Sequence, residues 1–189
     1  RAAEEAVELV DLPRLAAVDP ASLSHGGRVE LIEAFERVKA RVDGLQQAAL
    51  AAVVEATEEV GLDGDLARHE VGAALRLSPV TAHRRTRVAA ELARRLPATL
   101  GELVAGRIGY LQAAQLAEAV TDLPDGVAAA VEARVLPRAA GQTVAETRRA
   151  TARAVIAADP AGAAGRHERA VAGRRIERHA QPEAMEGWW

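Results

Sequence analysis

The sequence predicts an all-α fold: a long N-terminal helix on a multi-helix bundle that contains a helix-turn-helix-like pair, with room for a small C-terminal β-hairpin. Two observations carry that expectation. The chain is 49% hydrophobic over 189 residues, yet its aromatics are limited to Phe35, Tyr110, Trp188 and Trp189. A core built from Ala, Val and Leu favours helices, because alanine loses no side-chain entropy there, whereas strands draw on aromatic and β-branched residues. Capping signals and prolines also recur at helix-length intervals from Ser78 onward.

Residues 1–27 hold a short amphipathic run ended by Pro13, then Asp19-Pro20 and Gly26-Gly27, and read as a loosely attached arm. From Arg28 the apolar residues Leu31, Phe35, Val38, Val42, Leu45, Ala49, Ala52 and Ala56 alternate in steps of four and three. This heptad-like stripe predicts one helix to about Glu59, roughly 45–50 Å long at 1.5 Å per residue, ended by Gly61. The stripe needs a cover. The rest of the chain is the expected one, and a second copy, giving a homodimer through the long helix, is the alternative.

Leu66 to Leu75 reads as the next helix, and Arg76-Leu77-Ser78-Pro79 as a tight turn in which Ser78 caps the following helix and Pro79 takes its first position. Thr99 with Glu102 has capping-box spacing for a short helix that stops at Gly106, and Tyr110 to Val120 forms another. Asp125 is placed to cap a helix to about Val135, and Thr143 with Glu146 opens one that reaches Ala158. Residues 159–168 are small and read as a linker. Arg174–Arg178 and Ala184–Trp188 then flank Gln181-Pro182 as hairpin strands. The domain organisation expected is an arm over 1–27, a helical domain over 28–158, and a linker and hairpin over 159–189 leading to a missing downstream module. A start at Arg1 and an end at Trp189 fit a piece of something longer.

Charge is unevenly distributed. Residues 1–65 carry 6 basic and 14 acidic side chains, residues 66–107 carry 8 arginines against 3 glutamates, and residues 108–189 carry 10 of each sign. On a helical wheel of residues 79–96, Val88, Leu92, Leu96 and the alanines share one arc, while His83, Arg84, Arg87, Arg94 and Arg95 share the opposite one. In a helix-turn-helix the second helix offers its first turns to the major groove, which calls for long donors there. His83, Arg84, Arg87 and Arg94 are therefore the candidate contacts to double-stranded DNA. The bland alternative is a solvated helix face. Arg85 falls within the apolar arc and requires a carboxylate or a route out to solvent.

Catalysis has little support. The chain has no cysteine, which removes thiolate chemistry, disulfides and thiolate metal sites and fits a reducing, cytoplasmic setting. Ser22, Ser24 and Ser78 sit in cap or turn contexts, so no nucleophile is evident. His167, Glu168 and His179 match no metal-ligand spacing. Neither a catalytic residue, a metal ligand nor a cofactor is assigned to this chain, and no segment has the length of apolar sequence that a membrane span requires.

Taken in order, the segments LIEAFERVKARVDGLQQAALAAV, EVGAALRLSPVTAHRRTRVAAELARRLPATLGELVAGRIGYLQAAQLAEAV and PEAMEGWW resemble the domain of unknown function 222, which is often found before an HNH nuclease module in actinobacterial proteins. The resemblance spans residues 28–189. Family members close on Pro-Asp-Gly-Met-Ala-Trp; here Glu183, Ala184, Met185, Glu186 and Gly187 precede Trp188, so the glycine of that turn is displaced. The resemblance implies a non-catalytic helical domain of an HNH endonuclease-like protein, with any divalent metal held in the missing module. An HNH site needs an asparagine and this chain has none, so the complete motif lies outside residues 1–189. Two functions follow: DNA binding or targeting through the basic helix, or a helical scaffold for protein interaction or dimerisation.

Overall fold

The structure, a computed structural model, describes residues 12–59, 61, 65–173, 178–180 and 186–188. Its elements are α1 (Leu12–Ala16), α2 (His25–Glu59), α3 (Asp65–Leu75), α4 (Pro79–Arg94), α5 (Pro97–Val104), α6 (Tyr110–Val120), α7 (Asp125–Ala139), α8 (Val144–Ala158) and α9 (Pro160–Ala172). Two short antiparallel strands follow, β1 (Arg178–Ala180) and β2 (Glu186–Trp188), with Arg178 opposite Trp188. The fold is all-α. The part of the expected first strand over 174–177 and the Gln181-Pro182 turn lie outside the described residues.

Local chemistry sets most helix boundaries. Ser78 accepts a hydrogen bond from the Thr81 N–H while Pro79 holds the first helical position of α4. Thr143 and Glu146 cap α8 reciprocally, each side chain accepting from the other's backbone N–H. Gly106 sits at φ 73° after α5, a left-handed conformation that favours glycine. A side chain there would also meet the Arg37 carbonyl at 2.8 Å.

The main core lies among α4 to α8, where Leu92, Leu96, Leu103, Leu116, Val120 and Val131 are fully buried. A second cluster, Leu50, Ala51, Val71 and Ala89, joins α2, α3 and α4. Polar ties cross the layers: Gln112 Nε2 donates to the carbonyls of Ala139 and Gln142, both at 2.8 Å. Arg85 is half-buried, and its hydrogen-bond partner is an amide rather than a carboxylate. Its Nη2 donates to Gln46 Oε1 at 3.1 Å, and its guanidinium lies 5.7 Å above the Tyr110 ring.

Several expectations need correction. Thr99 is not an N-cap, because α5 starts two residues earlier at Pro97. Thr99 is buried instead, and both its N–H and its hydroxyl donate to Glu132 Oε1 at 2.7 Å. Asp125 occupies the first turn of α7 rather than its cap, and Pro124 precedes it. Residues 159–168, read as linker from their small side chains, fall within and just before α9, which Asp159 starts by accepting from the Gly162 N–H. Alanine's helix propensity outweighs the two glycines there.

The largest difference concerns α2. Of the expected seam only Val38 is buried; Phe35, Val42, Leu45, Ala49, Ala52 and Ala56 are exposed. The buried residues are Ala34, Val38, Ala40, Gly44, Gln47, Leu50, Ala51, Val54 and Thr57. They do not keep a heptad's spacing, so the buried stripe winds around α2, which meets α5 at Gly44, α3 and α4 together at Leu50 and Ala51, and the end of α4 at Glu58. The rest of the described chain covers Val38 and part of Leu31 and leaves the other seam positions exposed.

Candidate nucleic-acid interface

The basic face predicted for α4 exists as an exposed surface. His83, Arg84, Arg87 and Arg94 are all solvent-exposed, while Ala82, Thr86, Val88, Ala89 and Leu92 turn inward. The turn of Arg76, Leu77 and Ser78 brings α3 against α4, and Arg76 takes the left-handed conformation at φ 54°. Val80 protrudes at the start of α4 with 80% of its surface exposed.

Charge separates the four candidates into two pairs. The Arg84 Nε donates to Glu118 of α6, and the Arg94 guanidinium donates from both Nη atoms to Glu58 of α2. Each hydrogen bond raises the arginine pKa above its ordinary value, against a smaller opposing effect of burial. Both pairs are open to water, where an ion pair is worth about 0–1 kcal/mol. Arg87 has no carboxylate partner among the described residues. His83 Nδ1 lies 3.5 Å from Arg68 Nη1 of α3. Since arginine only donates, Nδ1 acts as acceptor there and Nε2–H is the donor left for a ligand.

Arg68 is the residue that sequence reasoning missed. With His83, Thr86 and Arg87 it lines a cavity of about 270 Å3 that Val54, Asp65 and Ala90 complete. Asp65 binds Arg68 and brings one negative charge to the rim. Arg68 lies on the preceding helix, so a wheel drawn for residues 79–96 alone cannot show it. Arg95, grouped with the basic face on that wheel, turns away. It is mostly buried, bonded to Glu91, Asp125 and the carbonyls of Val120 and Thr121, and it fastens α4 to the α6–α7 turn.

Among the described residues no cluster of three or more His, Asp or Glu side chains is arranged to hold a metal ion, and no helix is long and apolar enough to cross a membrane. A larger cavity, about 480 Å3 and lined by Glu102, Glu132, Leu136 and Pro137, opens beside α5 and α7. Its polar groups already serve the fold: Glu132 holds the start of α5 and Glu102 pairs with Arg107.

An all-helical domain with a basic, tightly turned helix pair is the class that these features define. The chain belongs to the family described as Domain of unknown function (DUF222), whose model matches residues 29–188. No curated protein and no solved structure matches it.

Proposed function

We propose that this domain binds duplex DNA through α3 and the first turns of α4, and so targets an HNH endonuclease-like protein of which it is the non-catalytic part. The carrying observation is the arrangement of Arg68, His83 and Arg87 around one open cavity beside a protruding helix start. Guanidinium and imidazole N–H groups so grouped suit a backbone phosphate. Val80, exposed at the helix tip, suits apolar contact with a thymine methyl in the major groove. Arg84 and Arg94 are already held by Glu118 and Glu58 and stand at the edge of the proposed interface, without phosphate contacts of their own. The nuclease association rests on the resemblance described above, and cleavage with any metal belongs to a module outside residues 1–189.

The test is a titration of fluorescent duplex DNA at low salt with the wild-type chain and single variants. Arg87→Ala and Arg68→Ala are expected to weaken binding roughly five- to tenfold, while Arg94→Ala changes it little. Absence of binding, or equal affinity for wild type and Arg87→Ala, overturns the proposal.

A further inference from the structure

Helices α7 and α8 carry five arginines and three carboxylates, and each of those carboxylates is engaged elsewhere. Asp125 pairs with Arg95, Glu132 accepts from Thr99, and Glu146 closes the cap at Thr143. Arg134, Arg138 and Arg153 converge on a cavity of about 180 Å3 where α7, α8 and the turn between them meet. All three are exposed, and none has a carboxylate partner among the described residues. No acidic side chain lines the cavity either.

The polar side chains of this cavity offer donors. Val135 and the small Ala150 give it an apolar floor. Gln142, the remaining lining residue, is fixed through its backbone: its N–H donates to the Ala139 carbonyl and its own carbonyl accepts from Gln112. Its Oε1 is buried without a donor, which leaves Nε2 as the amide atom open to the cavity. Arg134 and Arg138 stand one helical turn apart, a spacing at which like charges destabilise a helix. The dipole of α7 favours Arg138 in its last turn, but gives no such support to Arg134 or Arg153.

We propose that Arg134, Arg138, Arg153 and the Gln142 amide form a binding site for a phosphate group. Phosphate oxygens match the forked donors of guanidinium groups, and the negative charge removes the repulsion among three arginines held around one small space. The site shares no residue with the cavity of Arg68, His83 and Arg87, so it stands or falls apart from the DNA reading. A phosphate on a small molecule and one in a nucleic-acid backbone present the same oxygens to it.

The test titrates the nitrogen-15-labelled full chain with sodium phosphate, and in parallel with sodium chloride at matched ionic strength. Phosphate alone is expected to give saturable shifts of the Gln142 side-chain amide and of the backbone amides at 134, 138 and 153. Arg134→Gln and Arg138→Gln are each expected to weaken phosphate binding roughly five- to tenfold. Arg148→Gln, at an exposed position of α8 outside the cavity, and Arg87→Ala are expected to keep the wild-type affinity. Circular dichroism checks that each variant folds. Shifts that chloride reproduces, affinity unchanged in both cavity variants, or an equal loss in Arg148→Gln overturns the proposal. Duplex DNA separates the two sources: binding that Arg138→Gln weakens assigns the phosphate to a nucleic-acid backbone, and DNA binding that it leaves intact, with phosphate binding lost, assigns it to a small molecule. A chain that binds DNA through Arg87 and ignores phosphate overturns this site while leaving the DNA reading in place.

Discussion

Individual residues carry the short-range signals of the sequence well and the long-range ones poorly. Ser78-Pro79 and the Thr143/Glu146 pair were legible because a cap is satisfied within three residues. Thr99 shows the same spacing with Glu102, but its partner is Glu132 on α7, 33 positions away, and nothing local announces that. Gln47 is a case of the same kind. It sits wholly inside, with neither amide atom hydrogen-bonded, at a place where the heptad pattern expected a polar exterior. A buried amide without partners costs about 1–3 kcal/mol, so Gln47→Met is expected to raise the urea midpoint by a comparable stabilisation. A midpoint that falls instead would show that Gln47 holds an essential polar contact.

At the scale of the element, α2 is where sequence and structure part. Helix length was readable from the 28–59 pattern, yet which side faces inward was not, because alanine and glycine positions decide how closely neighbours approach. Gly44 is the clearest example. Mid-helix glycine reads as a weakness of about 1 kcal/mol against alanine, but a Cβ here would lie 2.8 Å from the Val104 backbone nitrogen. Gly44→Ala is therefore expected to destabilise by about 1–3 kcal/mol, despite its better propensity, by pushing α5 off α2. A rise in melting temperature would contradict this contact. In α8 the cap gives a pH signature. Bonds from the Thr143 backbone and hydroxyl hold Glu146 below the usual glutamate range, and Arg107 does the same for Glu102. Both lowered groups favour the folded state above the unfolded glutamate pKa, and that contribution disappears as pH falls through their folded values. Urea midpoints measured downward from neutral pH are expected to drop through this window, less steeply in Glu146→Gln; equal slopes would contradict the cap assignment.

For the whole molecule, composition was enough to give the all-α class, and motif order was enough to give the family that residues 29–188 match. The basic region was also legible as a run of arginines. What those arginines meet was not, since Glu58 and Glu118 come from α2 and α6 and only the folded chain brings them to α4. Half of the proposed contact set is thereby occupied by carboxylates, and the account narrows to Arg87 and His83 with Arg68 added. Arg87 thus becomes the side chain on which the DNA reading turns.

The salt dependence of duplex binding addresses that claim most directly, because each phosphate contact contributes about one unit to the slope of log affinity against log salt concentration. Arg87→Ala is predicted to flatten that slope by about one unit while Arg94→Ala leaves it unchanged. A wild-type chain whose affinity ignores salt, or a slope that Arg87→Ala leaves intact while Arg94→Ala flattens it, would contradict the account.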